Sequence, residues 1–259
     1  MPESNLPRGA ALFSLSCGGL NPRSAGSPIE NNDSPKPVVF SWSGGKDSAM
    51  ALHAVLQDPN FEVVSLLTTV TEGYERISMH GVRNELLRRQ AESIGLPLEE
   101  VRIPPKCVNP IYEARMAEAV LRFRARGVLH FAFGDIFLED LRAYREQKLL
   151  QANMTALFPI WKVDTRELAQ RFLNDGFRAI TACIDPRKLD KSFVGRELDA
   201  SFFRDLPTGV DPCGENGEFH TFVFNGPIFR SAIDVQVGPV VERDSFVFCD
   251  LLPAEKGEQ

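Results

Sequence analysis

A glycine-rich turn between an apolar run and an amphipathic stretch is the feature that most constrains the fold of this chain. The turn comprises residues 43–48, Ser-Gly-Gly-Lys-Asp-Ser, and follows a strand-like run at 38–40. Adjacent glycines let the backbone turn where a Cβ would clash, here directly into a helix N-terminus. The free N–H groups and the positive end of the helix dipole at such a position suit a phosphate chain. The sequence therefore predicts a strand–turn–helix unit that binds a nucleotide by its phosphates.

The polar side chains of this glycine turn are candidate ligands for phosphate and metal. Ser43 and Ser48 can donate hydroxyl hydrogen bonds to phosphate oxygens, and Lys46 adds a positive charge. Asp47 can help to hold Mg²⁺, and we expect Asp47 and Lys46 to be exposed at the helix start. The predicted nucleotide-binding residues of this segment are Ser41, Ser43, Gly44, Gly45, Lys46, Asp47 and Ser48. A Walker A loop is excluded, because it would need a glycine in place of Phe40 and a hydroxyl residue in place of Asp47. The remaining alternative is an ordinary glycine turn between a strand and a helix.

Strand-like and helical segments alternate from residue 38 onward. The strand-like runs lie at 38–40, 63–70, 98–103, 128–133 and 156–160. The helical patterns between them lie at 47–57, 82–94, 111–126 and 138–151. This alternation predicts an α/β fold with a parallel, Rossmann-like sheet and right-handed crossovers. The binding site of such a sheet lies at the carboxyl ends of its strands.

The alternation of strand-like and helical segments changes after about residue 150, and this change predicts two domains. Residues 38–150 form the predicted nucleotide-binding domain, and residues 151–250 form a smaller mixed α+β domain on the substrate side. The expected elements of the second domain are helices at 165–174 and 195–203, a strand at 178–183, and further strands after residue 207. Residues 1–37, rich in glycine, proline and serine, are predicted to be a disordered leader, and residues 251–259 a tail.

Charge and cysteine content argue against several classes of protein. A net charge of −6 argues against a basic surface that wraps nucleic acid, so we predict no nucleic-acid partner. The five cysteines form no C-x-x-C pair, which favours a reducing, cytoplasmic compartment and gives no support for a zinc or iron–sulfur site. Cys213 could act as a nucleophile, with a free buried thiol as the alternative. No apolar run approaches the ~18 residues of a membrane span, so we predict no membrane partner.

Two further segments carry candidate site residues. Gly134 and Asp135 follow the fourth strand-like run, and Asp135 can accept from a ribose hydroxyl or support a metal. Arg142, on the helix that follows, can point back to a phosphate or a carboxylate. Glu215 and Glu218 place two carboxylates on one glycine-flanked loop, suited to holding Mg²⁺, orienting ammonium or acting as a base. A solvated run of charges and a tight acidic turn are the respective alternatives.

The glycine turn resembles the PP-loop of the ATP pyrophosphatases, within the adenine nucleotide alpha hydrolase-like superfamily. The order of motifs along the whole chain is similar to that of the diphthine:ammonia ligase family. The motifs are the PP-loop, Gly-Asp-Ile…Arg…Glu at 134–146, Pro159-Ile160-Trp161, Leu189-Asp190-Lys191 with Gly195, and Gly-Glu-x-Gly-Glu at 214–218. The segment 75–83 resembles the bacterial branch of the family, whereas His220 stands where the family pattern has an acidic residue.

The resemblance implies an ATP-dependent amide-forming ligase with ATP and Mg²⁺ as cofactors. Such an enzyme transfers AMP to a small-molecule or protein-borne carboxylate, releases pyrophosphate, and then joins the carboxylate to ammonia. The implied catalytic residues are Lys46, Asp47, Arg142, Glu215 and Glu218, with Asp47 as the metal ligand. On this view Asp135 and Arg142 complete the nucleotide side, and the two glutamates belong to the acceptor or ammonia side. His80 is a weaker candidate for substrate contact. A non-catalytic ATP or AMP sensor and a PP-loop tRNA-modifying enzyme are the alternatives, and a homo-oligomer is left open.

Overall fold

The first strand and the first helix form where the glycine turn predicts them. The computed structural model describes residues 34–73, 76–77 and 81–254. β1 (Lys36–Ser41) ends at the turn, and α1 (Lys46–Gln57) begins inside it. Most of the predicted leader, His80 and the last five residues of the predicted tail lie outside the described residues.

The first sheet is parallel except for one short strand, which confirms the predicted α/β fold. Its other strands are β2 (Phe61–Thr71), β3 (Arg76–Ile77), β4 (Leu98–Ile103), β5 (His130–Ala132) and β6 (Thr155–Leu157). The helices beside it are α2 (Asn84–Ile94), α3 (Asn109–Ala125) and α4 (Glu139–Gln151). The parallel strands lie in the order β4, β2, β1, β5, β6. β3 pairs antiparallel with the end of β2, past the end of β1.

The strand order reverses between β1 and β5. From β1 the chain proceeds to β2 and β4 on one side and then crosses to β5 and β6 on the other. A crevice at the carboxyl ends of the strands is the usual ligand site at such a reversal. The glycine turn after β1 and the Gly134 segment after β5 flank this position.

Successive residues of β1 point to opposite faces of the sheet. Val38 and Phe40 belong to a core cluster that includes α1 and α2, whereas Val39 belongs to a cluster formed with α3 and α4. The sheet is therefore covered on both faces, as parallel sheets usually are.

A second, antiparallel sheet lies beside α1 and α2. Its strands, in the order β8, β7, β10, β9, are β7 (Arg178–Ile184), β8 (Phe219–Asn225), β9 (Val235–Arg243) and β10 (Phe246–Pro253). The helices of this region are α5 (Thr165–Asn174) and α6 (Ala200–Asp205). α1 contacts β8, α2 contacts β10, and one apolar core runs through both regions. Within the described ranges, no helix is long and apolar enough to cross a membrane.

The predicted helix at 195–203 is wrong over its first half. Gly195 N donates to the Thr181 carbonyl at 2.8 Å, so this stretch pairs with β7 and is not helical. α6 begins only after Asp199, whose side chain caps it by accepting from Phe202 N at 2.8 Å. Pairing with a distant strand thus outweighs the local helical pattern.

Candidate functional site

The glycine turn is held from two sides. Gly44 has a φ of +76°, which favours glycine, and a Cβ there would lie 2.7 Å from Gln90 Oε1 and from the Leu87 side chain. The Gly44 carbonyl accepts from Val223 N of β8 at 2.9 Å and from Gln90 Nε2 of α2 at 3.1 Å. Gln90 is fully buried and accepts from Trp42 Nε1 at 3.1 Å. α2 and β8 therefore hold the turn in one conformation.

Helix α1 begins without a side-chain cap. Its N-cap is Gly45, which has no side chain to accept from the first N–H groups. The hydroxyl of Ser43 donates to that of Ser48 at 3.0 Å, and Ser48 donates to the Gly45 carbonyl at 2.9 Å. Thr221 Oγ1 of β8 accepts from Lys46 N at 3.0 Å. Thr221 therefore takes the place of a local cap for one N–H, and a helix start after a parallel strand suits an anion.

The side chain of Lys46 is buried, so the expectation that it is exposed is wrong. Only 1% of its surface is accessible, and Nζ donates to Asp47 Oδ1 and to the Cys213 carbonyl, both at 2.5 Å. Burial by itself lowers the pKa of Lys46, but the charge and the hydrogen bond of Asp47, with smaller help from Glu215, outweigh it, and the pKa is raised overall. Lys46 is therefore a charged link between α1 and the acidic loop, residues 211–218.

Glu215 of the acidic loop lies beside Asp47. Its Oε1 accepts from Ile136 N at 3.1 Å, which joins the acidic loop to the segment after β5. Burial and the negative charge of Asp47 raise the pKa of Glu215 to about 7, although Ile136 N–H and Lys46 oppose the shift. Two carboxylates thus repel each other at the edge of the glycine turn, an arrangement that a bound cation relieves.

Glu218 is occupied within the acidic loop. It is buried, and its carboxylate accepts from Asp211 N at 3.2 Å, from Asn216 N at 2.9 Å and from Asn216 Nδ2 at 3.1 Å. The Asp211 carboxylate accepts from Cys213 N at 2.8 Å and from Glu215 N at 3.3 Å. These two carboxylates shape the loop that carries Glu215.

Gly134 lies against the start of α1, and Asp135 follows it directly. A Cβ on Gly134 would lie 2.9 Å from Ser48 N, so only glycine allows this approach. Asp135 forms an ion pair with Arg145, with 2.7 Å between Oδ2 and Nε. The Arg145 guanidinium lies 4.3 Å from the centre of the Phe133 ring.

Arg142 contacts residues at the end of β6. Its Nε donates to Glu146 at 2.7 Å. The guanidinium lies 4.9 Å and 4.7 Å from the ring centres of Phe158 and Trp161. Arg142 is thus stacked on aromatic rings near the carboxyl edge of the sheet.

Two titratable groups of the site are neutral at neutral pH. Burial and the charge of Lys46 lower the pKa of His220 to about 4. Cys213 is a free, buried thiol, and burial raises its pKa to about 12 despite the charge of Lys46. Cys213 therefore lacks the thiolate character of a nucleophile.

The carboxylates of the site suit a metal that arrives with phosphate. In the part of the chain that the structure describes, no group of three or more His, Cys, Asp or Glu side chains is placed to hold a metal ion. Mg²⁺ commonly takes one or two carboxylates and completes its shell with water and substrate phosphates. Asp47 and Glu215 fit that pattern.

Two protein-family models match this chain, one after the other along the sequence. The diphthamide synthase N-terminal domain matches residues 36–148, and the diphthamide synthase C-terminal domain matches residues 164–251. The chain belongs to the diphthamide synthase family. The family predicted from the motifs is confirmed, whereas its bacterial branch stays a prediction.

Curated relatives of this family member carry the name diphthine–ammonia ligase. The Schizosaccharomyces pombe relative is 26% identical over 234 residues, which are 83% of this chain and 38% of the relative. The Bos taurus relative is 27% identical over 173 residues, which are 61% of this chain and 65% of the relative. The chain therefore spans less than two thirds of the length of either. Among solved structures, the U34-tRNA thiolase NcsA from Methanococcus maripaludis, with its 4Fe–4S cluster, is 16% identical with a TM-score of 0.34, and the match covers 55% of this chain and 58% of that one.

In this diphthamide synthase family member, the glycine turn, the Gly134 segment and Glu215 meet at one edge of the first sheet. Sequence reasoning missed three residues at this edge: Asp211, Arg145 and Thr221. An aspartate before a glycine turn is a turn signal, so Asp211 could have been found. Arg145 follows Arg142 by three residues, and helical spacing does not tell which of the two faces Asp135. Thr221 binds Lys46 N across 175 residues, with no local signal.

Proposed function

We propose that this protein is an ATP-dependent amide-forming ligase, which adenylates a carboxylate, releases pyrophosphate and transfers ammonia to the carboxylate. Family membership and the names of the relatives support a ligase of this kind. The observation that carries the proposal is the start of α1, which has a glycine at its N-cap, together with the Asp47 and Glu215 carboxylates beside it. An anion site next to two carboxylates suits a triphosphate that binds together with Mg²⁺.

The glycine turn would bind the phosphates. The hydroxyls of Ser43 and Ser48 bond within the turn, so they can turn to phosphate oxygens without breaking a tertiary contact. Asp47 and Glu215 would hold Mg²⁺, because a cation would offset the charge of Asp47, which together with burial raises the pKa of Glu215. ATP supplies the adenylyl group that turns a carboxylate oxygen into a leaving group. Fixed N–H dipoles would stabilise the charge that develops on pyrophosphate.

Lys46 would act as a positioning residue. Its ammonium is bonded to Asp47 and to the Cys213 carbonyl, so it fixes the carboxylate of Asp47 relative to the acidic loop. Glu218 would act in the same way, because its bonds within the loop determine where Glu215 lies. This differs from a direct contact of Lys46 with phosphate, the role expected from the motif alone.

Asp135 and Arg142 would serve opposite ends of the reaction. Asp135 lies beside α1 and can accept from a ribose hydroxyl while Arg145 holds its carboxylate. Arg142, stacked on the rings that follow β6, would bind the acceptor carboxylate instead of the nucleotide-side role expected from the sequence. The relatives' name suggests diphthine as that acceptor, and a small-molecule carboxylate is the other class that fits.

The products of turnover test the proposal. With ATP, Mg²⁺, ammonium and a protein that carries diphthine, we expect AMP and pyrophosphate in equal amounts, together with an amide on the acceptor. Phosphorus NMR separates pyrophosphate from phosphate, and mass spectrometry detects the amide. Release of ADP and phosphate would contradict the proposal. ATP binding with neither set of products, across diphthine and a panel of small carboxylates, would favour a nucleotide sensor.

A further inference from the structure

We propose that a cavity between α3 and α4 is a second ligand site, which binds a small molecule with an apolar body and a carboxylate group. The cavity has a volume of about 530 Å³ and is lined by residues from 110 to 152. That volume lies within the ~300–1,000 Å³ of typical small-molecule pockets. It lies on the α3–α4 face of the first sheet, whereas the glycine turn packs against α2 and β8.

The body of the cavity is apolar. Met116, Val120, Phe131 and Leu149 contribute to its walls. Leu121, a further lining residue, has 58% of its surface exposed. Apolar surface that a ligand removes from water contributes about 25 cal/mol per Å² to binding. An apolar ligand body is therefore what this part of the cavity favours.

The polar side of the cavity is rich in hydrogen-bond donors. Lys148 Nζ donates to Glu113 at 2.7 Å, and the Tyr144 hydroxyl donates to the same carboxylate at 3.1 Å. Arg145 pairs with Asp135 at 2.7 Å. The carboxylates of Glu113 and Asp135 are thus already bonded. The Lys148 ammonium and the Arg145 guanidinium carry more N–H groups than these contacts use. The complementary polar group on a ligand is an anionic acceptor, which points to a carboxylate.

The Asp135–Arg145 ion pair joins the cavity to the glycine turn. Arg145 lines the cavity, and Asp135 follows Gly134, which packs on the backbone of Ser48. A carboxylate that binds Arg145 competes with Asp135 and alters its position beside α1. Occupancy of the cavity and binding of nucleotide should therefore be coupled, by the same factor in both directions. The coupling rests on the proposed nucleotide site, whereas ligand binding in the cavity does not.

Calorimetric titration with 3-phenylpropionate tests the cavity in the absence of nucleotide. Ala117 is an exposed residue of α3 that lines the cavity, so Ala117→Phe fills the space without disturbing the core. We expect Ala117→Phe to weaken binding about tenfold or more, equivalent to at least ~1.4 kcal/mol. Ala125→Phe, on the same helix but outside the cavity, is the matched control and should bind like the parent. Equal binding by parent and Ala117→Phe, with both variants folded by circular dichroism, would overturn the proposal.

The neutral analogue 3-phenylpropanamide tests the carboxylate. We expect the amide to bind about tenfold more weakly than the acid, and Lys148→Gln to narrow that difference. Equal affinity for acid and amide would overturn the anionic specificity. If AMP weakens binding of the acid without reaching a plateau as its concentration rises, the two compete for one site, and a separate site is overturned; coupling between two sites reaches a plateau.

A third measurement separates this inference from the ligase proposal. We expect saturating 3-phenylpropionate to change the Kd for ATP, and Asp135→Asn to abolish the change. If the parent binds the probe, Ala117→Phe does not, and no AMP is formed, then the cavity site is supported and the ligase proposal is refuted. Normal AMP formation with no probe binding would refute the cavity alone. Probe binding without any effect on ATP affinity would overturn the coupling.

Discussion

Lys46 shows how burial changes the meaning of a charged side chain. Position alone, at a helix start after two glycines, suggests a solvated ammonium that reaches for phosphate. The structure instead encloses it between Asp47 and the Cys213 carbonyl. A buried ammonium with such partners contributes to folding as well as to the site.

We expect Lys46→Ala to lower the free energy of unfolding by about 2 kcal/mol, because two hydrogen bonds from a charged donor are lost. AMP formation should fall as well, since Asp47 loses its fixed position. Urea denaturation and product analysis measure the two effects. Lys191→Ala is the control: its side chain is 56% exposed and pairs with exposed Glu242, so we expect a change within about 0.5 kcal/mol. Unchanged stability of Lys46→Ala would show that the ammonium is not buried in solution.

Glu215 makes the stability of the nucleotide-free protein depend on pH. Its ordinary pKa is 4.5, and burial together with the charge of Asp47 raises the pKa to about 7 in the folded protein. Between these two values the folded state binds more protons than the unfolded state, so ionisation of Glu215 costs stability as pH rises from 4.5 to 7. We expect Glu215→Gln to flatten this part of the profile, by about 1 kcal/mol after allowing for solvent screening. Glu62→Gln, at an exposed position of β2, should keep the parent profile in the same denaturation series. A parent profile without this fall would refute the raised pKa.

At the scale of the elements, most of the first sheet could be predicted from the sequence. The strand–turn–helix unit and the alternating pattern identify β1, α1 and their neighbours because local hydrophobic periodicity carries that information. The stretch at 195–198 and the contacts of Thr221 could not be predicted, because pairing with a distant strand decides them. The same reason applies to Glu215: its place beside Asp47 depends on the acidic loop folding around Asp211 and Glu218.

Gly134 determines how closely the segment after β5 approaches α1. In Gly134→Ala the new methyl group would meet backbone atoms of Asp47 and Ser48 at 2.9–3.0 Å, and neither element can yield easily. We expect a loss of about 1–3 kcal/mol in stability and a weaker affinity for ATP. Gly127→Ala is the comparison: φ is +81° there, but nothing lies within 4 Å. That variant should lose about 1 kcal/mol to backbone strain and keep its ATP affinity, as measured by calorimetry. Equal ATP affinity in both variants would show that the contact does not position α1.

At the scale of the whole molecule, Gln90 connects the two sheets. Its amide accepts from Trp42, which follows β1, and donates to the carbonyls of Gly44 and Val223. We expect Gln90→Leu to lower the free energy of unfolding by about 2–3 kcal/mol, because buried polar groups of the turn and of β8 lose partners. Gln170→Leu, on an exposed position of α5, should change it by less than about 0.5 kcal/mol. Comparable losses in the two variants, measured in urea, would argue against a structural role for the Gln90 network.

Because β8 holds the glycine turn, the turn depends on a distant part of the chain for its conformation. A Walker-type loop is often treated as a self-sufficient cassette, since its own backbone sets its shape. Here the Gly44 carbonyl and the Lys46 N–H are each bonded to a strand that follows them by more than 170 residues. If residues 36–57 were transferred to another α/β protein, the motif would be present but the hydrogen bonds from β8 would be missing. The conformation of the glycine turn is therefore a property of both sheets together, and we expect the grafted segment to lose it.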